Sequence, residues 1–269
     1  MELLLTIIFF AVFGKFAHIY YTYRKYKKSS YYQITHNPFF GGTKGELGEY
    51  QIWKRLSYLE EHGARFLFNL YIPKGRDHTT EIDVLMIHPK GLFVIESKNY
   101  SGWIFGHAAR DTWTQTLPQG RGYPARKERF HNPLRQNEAH ITYLLRTLGR
   151  DVKTHSIIVF SDECEFRDVT LVTNRHQVIQ LSMLRLTLEE MFMDQLDTAL
   201  TATDIDTIYK QLYPYTQVSD EVKQRHIEAA ERYAPTQERQ IGTAYQKPSF
   251  VERRANRMAR RLRKRIFRF

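Results

Sequence analysis

Residues 3–23, LLLTIIFFAVFGKFAHIYYTY, hold one lysine and one histidine in a stretch otherwise apolar, aromatic or small. As a helix this stretch spans about 31 Å, close to the roughly 30 Å of bilayer hydrocarbon. Tyr20, Tyr21 and Tyr23 suit an interfacial belt, and Arg24, Lys25, Lys27 and Lys28 follow at once. The pattern predicts an uncleaved transmembrane helix, a single-pass anchor in the cell membrane with the rest of the chain in the cytoplasm. Lys15 is the costly interruption. A cleaved signal peptide is the rival reading, but its basic start and small-residue cleavage site are missing.

Beyond the anchor, the periodicity changes repeatedly. Residues 29–40 form a short aromatic-rich connector. Ile52, Trp53, Leu56 and Leu59 recur at helical spacing around Glu49. Residues 82–87 and 92–95 are apolar, β-branched runs that predict two strands, joined by the loop His88, Pro89, Lys90 and Gly91. Asn132 followed by Pro133 predicts a helix start, with Leu134, Ile141, Leu145 and Leu148 as its apolar stripe and Gln136 and His140 together on another face. Strands are expected at 155–160 and 177–181, and helices at 182–193 and 204–212. The acidic stretch 161–168, SDECEFRD, is expected to be a surface loop. Residues 41–213 thus make one α/β domain of ordinary size. A helix over 219–233 and a polar linker over 234–250 follow.

Charge alters the picture at the ends. The chain carries 40 Lys+Arg against 29 Asp+Glu, a net +11. Arg24 to Lys28 supply +4 and residues 251–269 supply +8, which leaves the middle nearly neutral. In that last segment Val251, Ala255, Met258, Leu262, Ile266 and Phe269 recur every three or four residues among arginines, a basic amphipathic helix suited to an anionic membrane surface. Nucleic acid or the core are its other partners. Within the neutral middle, Arg121, Arg126, Lys127, Arg129 and Arg135 form a basic patch that can neutralise backbone phosphates; a solvated basic loop is the other reading. One cysteine, Cys164, excludes an internal disulfide and a cysteine zinc site, and the eleven histidines lack ligand spacing.

The chemistry is concentrated in the stretch 81–99, EIDVLMIHPKGLFVIESKN. With the four-residue loop, Ile87 faces Leu92, and counting back puts Asp83 opposite Glu96, with Cβ atoms about 5 Å apart. Lys98, two residues past Glu96, shares its face. Neighbouring carboxylates repel and call for a cation between them. A hard cation such as Mg²⁺ takes one or two carboxylates and leaves room for water and phosphate. That arrangement suits metal-dependent phosphodiester hydrolysis, with the lysine orienting water or offsetting phosphate charge. A salt-bridged strand pair without catalysis fits the spacing equally well.

Asp83 followed by Glu96-Ser97-Lys98 resembles the signature of the PD-(D/E)xK nuclease superfamily. The flanks resemble its nuclease-related domain (NERD) family: Gly45, Gly48, Glu49, Ile52 and Leu56 upstream, then Lys98-Asn99, Gly102, Ile104, Gly106, Trp113, Asn132-Pro133 and Gln136 downstream. The resemblance covers about residues 41–150. Its one departure is Ile82, where proline would precede Asp83. It implies a restriction-endonuclease-like fold, a mixed central sheet flanked by helices, and Mg²⁺- or Mn²⁺-dependent cleavage of nucleic acid, DNA in the first place. It also implies that Glu49, better placed than Glu46, helps Asp83 and Glu96 hold the metal; a solvated glutamate near a helix start is the other reading. Gln136 is a candidate to touch phosphate or water, with a surface glutamine as the alternative. Gly102 and Gly106 are expected at turns. The alternative function is a non-catalytic module binding nucleic acid or another partner on the same fold.

Overall fold

The computed structural model describes residues 2–37, 43–75, 78–120, 123–173, 175–194 and 199–233. The chain divides into two units, Met1–Thr236 and Gln237–Phe269. The expected linker over 234–250, the basic tail over 251–269 and Arg121 lie outside the described residues.

Two mixed sheets organise the first unit. The larger contains β1 (Arg65–Pro73), β2 (Thr79–His88), β3 (Gly91–Lys98), β7 (Thr154–Phe160) and β9 (His176–Gln180), in the order β1-β2-β3-β7-β9. The smaller contains β4 (Gly102–His107), β5 (Thr112–Leu117), β6 (Arg126–His131) and β8 (Cys164–Thr170), in the order β6-β5-β4-β8. β3 lies between β2, antiparallel, and β7, parallel. A strand covered on both faces reads as an unbroken apolar run, and residues 91–96 of β3 are all buried. The parallel step from β3 to β7 needs a long crossover, supplied by β4, β5, β6 and α4 (Pro133–Leu148).

The larger sheet packs against α3 (Lys44–Leu56), α5 (Leu184–Met193) and α6 (Ala202–Leu212), with Ile52, Leu56, Leu184, Leu188 and Ile208 in one core. Ile104, Trp113, Phe130, Leu134, Ile158 and Phe160 form a second core where the smaller sheet meets the larger. Trp113 stacks on Phe160 at 6.2 Å. A Cβ at Gly106 would lie 2.1 Å from the Trp113 ring. Gly106 is therefore a strand residue kept small by a ring, not the turn expected. Gly102, with φ +81, does sit in a conformation that favours glycine.

Several other expectations change. The β2–β3 connection is tighter than four residues, because His88 already pairs with Gly91, yet Ile87 faces Leu92 as counted. The acidic stretch 161–168 is not a loop throughout. Cys164–Thr170 is β8, held by parallel pairing with β4. The basic stretch around Arg126 is edge strand β6, paired with β5. Both were missed because strands paired on few apolar side chains leave little alternation. Residues 29–37 are no bare connector. They form α2 (Ser30–Thr35), capped by Ser29, and its Tyr31 is buried against Phe68 at 5.0 Å.

A helix also forms at the start, α1 (Glu2–Lys27). Among the described residues, however, no helix is long and apolar enough to cross a membrane, so the spanning anchor expected over 3–23 is not supported. Lys15, His18 and the tyrosines after Ile19 dilute the apolar run. Tyr26 docks the end of α1 onto Tyr50 at 5.4 Å. Phe9, Phe13 and Phe16, by contrast, are 61–67% exposed.

Candidate active site

The site forms where two strand ladders are interrupted at the same level. Pairing of β2 with β3 ends at Val84 and Ile95. One step outward, Asp83 faces Glu96, and its Oδ2 accepts the Ser97 backbone N–H at 2.7 Å. On the other side, β1 pairs Phe68 with Val84 and Leu70 with Ile82 but skips Asn69, whose φ is +51. Asparagine tolerates this left-handed conformation better than most residues. The Asn69 side chain hydrogen-bonds Glu49.

Glu96 is almost wholly buried and fully engaged. Its Oε1 accepts from Lys98 Nζ at 2.5 Å, and its Oε2 lies 3.1 Å from His140 Nε2. An ionised Glu96 places a proton on Nε2, and Nδ1 lies 2.7 Å from the Thr80 hydroxyl. Lys98 also donates to Gln136 Oε1 at 3.1 Å. Burial opposes ionisation of Glu96, but Lys98 and His140 outweigh it and hold the pKa at about 2. Burial likewise opposes the Lys98 ammonium, yet Glu96, Tyr100 and Asp83 together raise its pKa. Asp83 goes the other way. Burial first, then the charge of Glu96, push it well above the carboxylate range against the pull of Lys98, with Glu49 and Glu81 adding. Of the two facing carboxyls, Glu96 is thus the one held ionised and Asp83 the one whose ionisation burial and neighbouring charge oppose.

Glu49 arrives from α3. Thr43 and Glu46 cap that helix reciprocally, which uses Glu46 and leaves Glu49 one turn further in. The helix lies so close to the end of β3 that a Cβ at Gly48 would sit 2.5 Å from Ser97 Oγ. Glu49 is 7% exposed, and its Oε2 has no hydrogen-bond partner. Burial, then Glu81, push its pKa to about 8.

A divalent cation fits part of this set. Asp83 and Glu49 both have carboxyls pushed up by burial and neighbouring negative charge, and Glu49 has a bare buried oxygen. A hard dication relieves both conditions, and two carboxylates plus water suffice for Mg²⁺. Among the described residues, no group of three or more His, Cys, Asp and Glu stands ready to hold a metal. On the expected triad, Lys98 and His140 already engage both oxygens of Glu96.

Asp83 opens onto a cleft of about 650 Å³, which Gln136, His140 and Arg135 also line. Of the described basic-patch residues, only Arg135 reaches this cleft, ion-paired with Asp111 and donating to Ala109 O at 2.8 Å. Arg126 pairs with Glu128, while Lys127 and Arg129 are exposed on the opposite face of β6. Sequence reasoning missed Asn69 and Thr80 and gave His140 no role. The signals were there: a lone asparagine inside the apolar strand RFLFNLYIP, and two polar residues four apart beside a helix cap. The buried face of α4 in fact includes Asn137, His140 and Leu144, so the expected stripe through Leu145 was rotated. Asn132 does cap the helix, accepting from Leu134 N at 2.9 Å.

Two mixed sheets flanked by helices, with an Asp–Glu–Lys cluster at the interrupted ends of two central strands, fit a nuclease-like α/β fold. Residues 44–161 match the model of the nuclease-related domain, NERD, a family of the PD-(D/E)xK nuclease superfamily. An uncharacterized protein of Bacillus anthracis is 27% identical over 184 residues, covering 68% of this chain and 82% of that protein. No solved structure matches the chain.

Proposed function

We propose that this protein is a metal-dependent nuclease that hydrolyses phosphodiester bonds, with DNA as its first substrate. The observation that carries the reading is the meeting of Asp83, Glu96 and Lys98 beside the bare buried oxygen of Glu49. Asp83 and Glu49 would hold Mg²⁺ or Mn²⁺, and Glu96 would join them on releasing one of its two donors. When bound, the ion supplies a more acidic water and a polarised phosphoryl oxygen. Lys98 serves as a cation rather than a base, because Glu96 keeps it protonated. It offsets charge developing on the phosphate. Gln136 holds the Lys98 ammonium in place, while His140 and Thr80 fix Glu96.

A non-catalytic binding module is the second reading, and the closed state of Glu96 favours it. Cleavage of plasmid and linear DNA with Mg²⁺ separates the two. Wild type is expected to cut, and Asp83→Ala and Lys98→Ala each to lose on the order of 10³-fold or more. Equal activity in all three would assign the cutting to a contaminant.

The location proposed is the cell membrane, with the NERD domain in the cytoplasm. Support comes from the exposed phenylalanines of α1 and the cations Arg24, Lys25, Lys27 and Lys28 that follow. The protein is expected to sediment with the membrane fraction of a cell lysate at physiological salt. Its release into the soluble fraction would end this part of the proposal.

A further inference from the structure

One wall of the cleft is α7 (Asp220–Tyr233), a helix seated lightly on the domain. Residues 220–232 of it are half-buried or exposed. A smaller hollow of about 180 Å³, sharing His78, Thr79, His226 and Ala229 with the cleft, is bounded further by Val222, Arg225, Pro73 and Gly75. His226 is its clasp. The ring Nδ1 lies 3.1 Å from Thr79 Oγ1 and 3.2 Å from Thr79 O, and Nε2 lies 3.5 Å from Glu81 Oε2. The same ring meets Tyr71 edge to face at 5.5 Å. One turn beyond, Ala229 and Ala230 line the cleft that Gln136 and Ala139 of α4 also line.

We infer that α7 restricts the cleft to a single nucleic-acid strand, or a frayed end, and excludes an intact duplex. This rests on the nucleic-acid reading above and deepens it. A cleft of about 650 Å³ falls within the roughly 300–1,000 Å³ of pockets for drug-sized ligands, room for about one or two nucleotides. A duplex brings a second backbone, and α7 narrows the cleft that would have to admit it, walling it with His226, Ala229 and Ala230. A single strand needs only to lay one phosphate before Asp83. Lys74 and Arg135 line the cleft beside Glu81 and Asp111, and they supply cations for the flanking phosphates once phosphate displaces Asp111 from Arg135. Enzymes that work inside pockets commonly take their substrate as a single strand for the same reason of reach.

Fluorescence anisotropy with the full-length protein and labelled oligonucleotides, without added metal, tests this apart from cleavage. Wild type is expected to bind a single strand at least tenfold more tightly than a blunt duplex of the same sequence. His226→Ala, which frees α7, is expected to bring that ratio to within about threefold of one. Ala229→Trp, at a half-exposed position where folding is not at issue, is expected to weaken single-strand binding about tenfold by filling the cleft. All variants keep the basic tail, so differences between them report the cleft. Equal binding of strand and duplex by wild type, or an unchanged ratio in His226→Ala, overturns the inference. A strand preference without any Mg²⁺-dependent cutting upholds it and overturns the nuclease reading instead.

Discussion

Lys98→Ala is expected to lose cleavage and stability together, whereas Asp83→Ala loses cleavage alone. The difference follows from which member of the cluster carries an uncompensated burden. Glu96 is 1% exposed and ionised, and Lys98 at 2.5 Å is the cation that offsets its burial. Removing one partner of such a pair strands the other charge, at a cost of about 3–5 kcal/mol. His140 remains on Oε2 and softens that loss, so the lower end is expected. Asp83 stands in the opposite position. Its carboxyl is already disfavoured by burial and by Glu96, and its removal gives up one hydrogen bond from Ser97 while relieving that repulsion. The variant should unfold within about 1 kcal/mol of wild type. Urea unfolding at pH 7 measures both. Equal losses of stability would mean that Lys98 does not compensate Glu96 as the geometry indicates.

The second large effect is a gain. Glu49→Gln is expected to be more stable than wild type at alkaline pH, and to lose metal response. Glu49 titrates at about 8 in the folded chain against an ordinary 4.5. Between those values the folded chain holds a proton that the unfolded chain has released, so stability falls as pH rises. The contribution is full below 4.5 and is lost through about 8, with a ceiling of roughly 5 kcal/mol at about 1.4 kcal/mol per unit. Glutamine does not titrate, so the two proteins should converge near pH 5 and differ by several kcal/mol at pH 9. Urea unfolding at pH 5, 7 and 9 gives the curves; parallel curves would remove Glu49 from the set of strained carboxyls. Added Mg²⁺ should stabilise wild type at pH 8 and leave Glu49→Gln unmoved, because binding to the folded state alone shifts unfolding. At limiting Mg²⁺, cleavage by wild type should rise with pH as Glu49 loses its proton.

The hairpin shows how far sequence carries. The β-branched runs and the turn residues fix a register in which Ile87 faces Leu92, and a period of two then places Asp83, Glu96 and Lys98 together. That inference needs only local geometry. Glu49 was legible in part, through helical spacing and the NERD pattern. Its burial was not, because burial depends on α3 approaching β3 closely enough that a Cβ at Gly48 would press on Ser97. β6 and β8 were unreadable as strands for a related reason: their pairing partners, β5 and β4, are supplied by the fold.

What the sequence determined by itself is the α/β class, the β2–β3 hairpin, the NERD signature and the three polar side chains it brings to one point. Those follow from backbone periodicity and from turn and cap chemistry, all acting over a few residues. Tertiary structure alone decided that Glu96 is closed by Lys98 and His140, that Asn69 and Glu49 meet at the interrupted ladder, and that α7 walls the cleft. Each of these joins residues distant along the chain, through burial and charge that exist only once the sheets and helices have packed.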